Sequence, residues 1–205
     1  PMEFRSVAVV GGGAMGRGIA RSLAGAEIET EIAERDAEAA EASRRSFEAA
    51  LDHEIARWSL TEAEKRALLA RVRWADSIEA LRPAALAIEA VDEDRVLKRN
   101  VFARLGKAMP AEAVFVTNTS TLPLDPLAQA SGRPAKFAGL HFVYPASRTP
   151  VVEVVRGLAT ADETVAAVRA LAVRIGKTPI EVFDSPGFVT TRVMLPFVNE
   201  AAHVV

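Results

Sequence analysis

The stretch Ala8-Val9-Val10-Gly11-Gly12-Gly13-Ala14-Met15-Gly16-Arg17-Gly18 decides the fold. Gly11, Gly13 and Gly16 stand at G-x-G-x-x-G spacing, directly after a short apolar run and directly before an Ala-rich segment of helical period. Each glycine answers a different demand. Gly11 permits a tight turn, Gly13 lets a diphosphate approach the backbone, and Gly16 lets the helix pack closely on the strand. The helix that follows offers the first-turn amides of Ala14, Met15 and Gly16, and its positive end, to an anion.

An acid supports this reading. Glu34 lies 18 residues after Gly16 and closes the second apolar run. A carboxylate there accepts hydrogen bonds from adenosine ribose hydroxyls and repels a 2′-phosphate, which favours NAD over NADP even with Arg35 beside it.

Working outward, runs rich in Val, Ile and Phe alternate with longer helical segments, the pattern of βαβ units. Strands are expected at Ser6–Val10, Ile28–Ala33, Arg71–Trp74, Ala85–Val91, Ala113–Thr117, Phe137–Phe142, Val151–Val155 and Pro179–Phe183. Helices are expected at Met15–Ala24, Ala37–Arg57, Glu62–Ala70, Leu97–Ala108, Ala161–Ile175 and Val189–Val205, with capping boxes at Thr61/Glu64 and Thr160/Glu163. The fold class is α/β: a Rossmann-type, doubly wound, mainly parallel sheet. Trp58-Ser59-Leu60 splits the long helical stretch into a helix-turn-helix arm, whose cations Arg44, Arg45, Lys65 and Arg66 read first as a solvated face. Glu27, Glu29 and Glu31 alternate with apolar residues where a central strand should be apolar on both sides, so either that strand starts later or that face is open.

Composition removes whole classes of function. The 205 residues carry 25 basic and 27 acidic side chains, a net charge of −2, so neither nucleic acid nor an anionic membrane is an expected partner. No stretch approaches the length and apolarity of a spanning helix. With no cysteine there is no disulfide framework and no thiolate metal site; no metal is expected, and the cytoplasm is the expected location.

Three histidines are candidate bases. His53 lies on the arm and His203 on the terminal helix. His141 instead closes the strand Phe137–Phe142 at a C-terminal sheet edge, where doubly wound folds place ligands.

Gly11–Gly18, Ile88-Glu89-Ala90-Val91-Asp92-Glu93 with Lys98, Asn118-Thr119-Ser120, Phe137–Pro145, Val152-Glu153-Val154 and Pro186-Gly187-Phe188 occur in this order. Together they closely resemble the NAD-binding domain of the L-3-hydroxyacyl-CoA dehydrogenases of fatty-acid β-oxidation, from about Ser6 to the last residue. The resemblance implies that His141 takes the substrate hydroxyl proton while NAD accepts hydride from the 3-carbon of an acyl-CoA. It makes Glu153 the carboxylate that orients the imidazole, and Ser120 the hydroxyl that bonds the reacting oxygen. Asn118, Glu93 and Lys98 become contacts around the nicotinamide ribose, and Thr191 part of the substrate site.

Three positions depart from the family pattern. Thr191 stands where the family usually has Asn, Tyr144 where another Asn is frequent, and Thr149-Pro150 where a Met-Lys pair is common. A threonine hydroxyl reaches less far than an amide and offers one donor instead of two. Two other readings accompany the leading one: a β-hydroxyacid dehydrogenase using a later lysine, and a crystallin-like protein that keeps the NAD fold without turnover.

The expected division is an NAD-binding domain over 1–184, then a linker, Asp184-Ser185-Pro186-Gly187 marking its start, and the first helix of a missing helical domain over 185–205. On that expectation the isolated chain is weakly active. Phe188, Val189, Val193, Leu195, Phe197 and Val204 then need cover, which points to a homodimer or other self-association through the terminal helix.

Overall fold

Strands that bury Val, Ile and Ala on both faces belong inside a parallel sheet covered by helices, and that is where these runs lie. The computed structural model describes residues 4–204. Its strands are β1 (Ser6–Val10), β2 (Glu29–Ala33), β3 (Val72–Ala75), β4 (Leu86–Glu89), β5 (Val114–Thr117), β6 (Phe137–Phe142), β7 (Val151–Arg156) and β8 (Thr178–Phe183). The sheet order is β3-β2-β1-β4-β5-β6-β7-β8. All neighbours pair parallel except β6 and β7, which run antiparallel. The direction of winding reverses between β1 and β4, which opens a crevice at the strand C-termini.

The helices are α1 (Ala14–Gly25), α2 (Ala37–Ala56), α3 (Glu62–Arg71), α4 (Arg95–Ala108), α5 (Asp125–Ala130), α6 (Asp162–Arg174) and α7 (Thr190–Val204). Alternation along the strands divides the core into two layers. Val7, Val9, Ile32 and Ile88 pack with Ile19 and Leu23 of α1 and Phe47 of α2. Ala8, Val10 and Phe115 pack on the other side with Phe102 and Leu105 of α4 and Leu127 of α5. No described helix is long and apolar enough to cross a membrane.

Boundaries shift from the expected ones by a residue or two, and four differences have a physical reason. α5 and the 3-10 turn Pro134–Lys136 were not anticipated: each is too short to show a helical period. The Thr61/Glu64 capping box forms, but the Thr160/Glu163 box does not. Thr160 instead donates its hydroxyl to the Phe137 carbonyl at 2.6 Å and accepts the Gly157 amide at 3.0 Å. The second strand begins at Glu29, after Glu27 in left-handed backbone (φ 60°), and Glu31 accepts the Arg82 amide at 2.8 Å, so the acidic face is partly open and partly capped. Phe188 precedes α7, with φ 47°, and is buried, whereas no residue of α7 is. Pro1, Met2, Glu3 and the expected helix end at Val205 lie outside the described residues.

The arm forms as α2 and α3. Three of the cations Arg44, Arg45, Lys65 and Arg66 are engaged locally: Arg44 bonds Glu41 and Glu48, Arg45 bonds Glu41, and Lys65 pairs with Asp52.

Candidate active site

The glycine loop follows the expected division of labour. Gly11 has φ 98°, and a Cβ there would sit 2.7 Å from the Ala90 carbonyl oxygen. A Cβ on Gly16 would lie 1.8 Å from the Gly11 carbonyl oxygen, so the helix start packs against the loop itself. A Cβ on Gly13 would meet nothing within 4 Å: its side is open to a ligand. Helix α1 has no side-chain cap and no acid in its first turn. The amides of Ala14, Met15 and Gly16 are therefore left to an anion, and a dinucleotide diphosphate fits the cradle.

Glu34 follows directly after β2. Its Oε1 accepts the Gly12 amide at 2.8 Å. A Cβ on Gly12 would sit 2.2 Å from Ser43 Oγ and 2.8 Å from Glu34 Oε1, so the variable position of the motif is also constrained here. The Gly12 carbonyl accepts Arg17 and Ser43, and Trp74 donates to the same Ser43 hydroxyl. Arg35 bonds Asp36 at 3.2 Å and borders the same groove as Glu34. Gly11, Gly13, Glu34, Ile78 and Leu97 border a groove of about 360 Å³ beside this loop.

At the crevice, α4 and the loop after β5 are tied to β4 by buried charge. Lys98 is 1% exposed and its Nζ lies 2.5 Å from Glu89 Oε1 and 3.2 Å from Glu93 Oε2. Glu89 also accepts the Thr117 hydroxyl at 2.6 Å and the Val91 amide at 2.8 Å. Burial pushes the Glu89 carboxyl above its ordinary range, against the pull of these donors. Glu93 Oε1 accepts the amides of Ser120 and Thr121 and the hydroxyls of Thr119 and Thr121. Partial burial opposes its ionisation, but the Thr119 hydroxyl and the Lys98 charge prevail and hold the carboxyl at about 2. Glu93 and Lys98 thus shape the Ser120 loop. Asn118 joins that loop to β6 by accepting the Phe142 amide at 2.8 Å.

His141 and Glu153 meet through their side chains, with His141 Nδ1 2.6 Å from Glu153 Oε2. His141 is 7% exposed and Glu153 fully buried. Burial alone would raise the Glu153 carboxyl. Hydrogen bonds from His141, the Thr190 amide and hydroxyl and the Val189 amide outweigh it, and it lies below its ordinary value. An ionised carboxylate can only accept, so Nδ1 donates to it, and in the neutral ring the lone pair then falls to Nε2. Phe188 packs against the imidazole at 5.6 Å between ring centroids.

A hollow of about 500 Å³ gathers His141, Asn118, Ser120, Lys98, Met15 and Thr191. Ala90 and Val91 border both this hollow and the glycine-loop groove, so the two adjoin. His53 and His203 are exposed and do not line it. Thr190, which the motifs did not single out, reaches Glu153; its only signal was its place two residues after the Pro186-Gly187-Phe188 segment. A further hollow, of about 710 Å³, lies elsewhere, between the end of α1, the arm and the end of α6.

The family model for the 3-hydroxyacyl-CoA dehydrogenase NAD-binding domain matches residues 6–185. The chain belongs to the 3-hydroxyacyl-CoA dehydrogenase family. The dehydrogenase domain is 37% identical to a probable 3-hydroxybutyryl-CoA dehydrogenase of Bacillus subtilis (strain 168), over all of this chain and 71% of that protein. Among solved structures, M. tuberculosis FadB2 superposes with a TM-score of 0.96 at 32% identity, covering 100% of this chain and 72% of that one. The (S)-3-hydroxybutyryl-CoA dehydrogenase PaaH1 from Ralstonia eutropha gives 0.92 at 35%, covering 97% and 70%. NAD is the cofactor this family's domain binds, and the family expected from the motif order is borne out.

Proposed function

We propose that this chain oxidises the 3-hydroxyl of a 3-hydroxyacyl-CoA to the 3-ketone with NAD, His141 serving as the base. The observation that carries the proposal is the buried His141–Glu153 pair at 2.6 Å on the wall of the hollow that also holds Ser120. Bound NAD supplies the acceptor for the hydride that leaves the 3-carbon. The rest falls to the protein. His141 Nε2 takes the hydroxyl proton, and Glu153 keeps the ring in the competent tautomer and stabilises the imidazolium. The Ser120 hydroxyl, on a loop whose backbone Glu93 anchors, bonds the reacting oxygen. The free amides of Ala14, Met15 and Gly16 hold the diphosphate, and Glu34 the adenosine ribose. Asn118 and Lys98 border the nicotinamide side, and Thr191 the substrate.

The CoA part has a candidate seat. The 710 Å³ hollow is bordered by Arg21, Arg57, Arg148 and Arg174. Arg21 is held by Glu54, and Arg174 by the carbonyls of Phe4 and Ala26. The guanidinium groups of Arg57 and Arg148 bond no other described residue, so they are the cations left for CoA phosphates.

The division at Asp184 and Ser185 belongs to the same proposal. The family model ends at residue 185, and α7 beyond it buries none of its residues. Exposed Val193, Leu195 and Phe197 on α7 support self-association.

The reading of an NAD-binding protein without turnover is not favoured, because the His–Glu pair is intact and the relatives are named as dehydrogenases. The decisive experiment incubates the chain with NAD and 3-hydroxybutyryl-CoA, or NADH and acetoacetyl-CoA, and follows nicotinamide absorbance with and without His141→Ala. NADH binding with no turnover in the unmodified chain overturns the proposal, as does turnover that ignores His141→Ala.

A further inference from the structure

The Thr190 hydroxyl donates to Glu153 Oε2 at 2.8 Å. That oxygen also receives His141 Nδ1–H at 2.6 Å. The second oxygen, Oε1, accepts the backbone amides of Val189 and Thr190, each at 2.9 Å. The fully buried carboxylate is thus held by four donors, and its charge at Oε2 is divided between an imidazole and a hydroxyl.

We propose that Thr190 is a positioning residue for the dehydrogenase reaction: by donating to Oε2 it limits how strongly Glu153 holds the His141 imidazolium and keeps the ring able to exchange its proton at Nε2. The proposal rests on His141 being the base. Without the hydroxyl, the carboxylate charge concentrates on Nδ1–H, and the imidazolium becomes harder to deprotonate. Oxidation needs the neutral ring and reduction the charged one. The acid limb of oxidation and the alkaline limb of reduction therefore move to higher pH together, since a variant leaves the overall equilibrium unchanged.

The surroundings do not supply another cause. Glu93 and Lys98, which border the same hollow, pair with each other, and neither hydrogen-bonds Glu153. Tyr144 is largely exposed, and Arg192 on α7 makes no salt bridge to Glu153 among the described residues. A residue that served only to begin α7 would leave the limbs in place, because the Val189 and Thr190 amides stay on Oε1 whatever the side chain.

The test compares Thr190→Val, which keeps the shape and removes the hydroxyl, with Thr190→Ser, which keeps the hydroxyl; Thr190→Ala replaces the valine variant if that one fails to fold. The expected result is an upward move of both limbs of kcat/KM by roughly half a pH unit or more in the valine variant, with serine restoring the original profile. A second readout needs neither cofactor nor substrate. The His141 Nδ1–H proton resonance, observed on the charged ring, should move downfield in the valine variant and return in the serine variant. Superimposable profiles for valine and the unmodified chain, or a serine variant shifted as far as valine, overturn the proposal. His141→Ala run alongside separates the failures: turnover that survives it removes the functional reading and this inference together, whereas His141-dependent turnover with unmoved limbs removes this inference alone.

Discussion

His141 and Glu153 are directly opposite partners in the antiparallel ladder between β6 and β7. In a parallel sheet the next strand follows only after a crossover, and its neighbours point along the same direction. Here the chain reverses once, and β7 returns beside β6. Opposite residues in an antiparallel pair hold their Cβ atoms about 4.5–5.5 Å apart on one face, close enough for an imidazole and a carboxylate to touch. The one antiparallel pairing of the sheet is therefore what makes the base and its orienter neighbours.

Because the pair acts as a unit, removing either member should cost comparable amounts. We expect His141→Ala to lower kcat roughly 10²–10⁴-fold. Glu153→Gln, which no longer enforces the tautomer, should fall in a similar range, and the double variant should be little worse than either single one. NADH binding, followed by fluorescence titration, should be kept in all three. Additive losses in the double variant would show that the two side chains do not cooperate.

Gly13 and Gly16 make opposite predictions although both belong to one motif. A Cβ on Gly13 meets nothing within 4 Å, so Gly13→Ala should leave the melting temperature nearly unchanged and weaken NADH binding by closing the diphosphate's approach. A Cβ on Gly16 would be 1.8 Å from backbone oxygen, which cannot swing aside. Gly16→Ala should destabilise the fold by about 1–3 kcal/mol in chemical denaturation. Equal stability losses in the two variants would contradict the separate roles.

The fold was legible in the sequence where a local rule decides it. The glycine loop, the capping box at Thr61 and the strand periods each depend on neighbours a few residues away. What escaped depends on distant partners or on elements too short to have a period. Helix α5 spans only Asp125–Ala130. The Thr160 hydroxyl was claimed by the Phe137 carbonyl, 23 residues upstream. In the site, motif order singled out His141, Glu153, Ser120 and Glu93, which the fold brings to one crevice. It did not show that Glu93 organises the Ser120 loop, that Lys98 is buried on Glu89, or that Thr190 rather than Thr191 reaches Glu153. Those are contacts of three-dimensional register, and no spacing announces them.

Cofactor choice should follow Glu34. Its Oε1 is occupied by the Gly12 amide, which fixes the carboxylate beside the groove where a 2′-phosphate would meet its charge. Arg35 borders the same groove, but its charge is shared with Asp36, so the carboxylate of Glu34 decides the preference. NADPH should bind at least roughly tenfold more weakly than NADH in fluorescence titrations. Glu34→Ala should narrow that gap while weakening NADH as well, since it frees the Gly12 amide. Equal titration curves for the two nucleotides with the unmodified chain would refute the assignment.

The buried Lys98–Glu89 pair predicts a stability that depends on pH in a particular direction. Lys98→Met leaves a carboxylate with 0% exposure and without its cation, a loss of about 3–5 kcal/mol near neutral pH. Burial already pushes the Glu89 carboxyl above its ordinary 4.5, and the Lys98 charge is the largest opposing influence. Removing it raises the folded-state value further. A carboxyl whose folded value lies above its unfolded one favours the folded state below 4.5 and loses that advantage as pH rises through the folded value. The variant should therefore be least destabilised near pH 4–5 and most destabilised above neutrality, as read from denaturation midpoints relative to the unmodified chain at each pH. Adding Glu89→Gln removes the stranded charge, so the double variant should recover much of the loss and flatten the pH dependence. A single variant whose deficit is the same at pH 5 and pH 8 would show that Glu89 is not the group left unpaired.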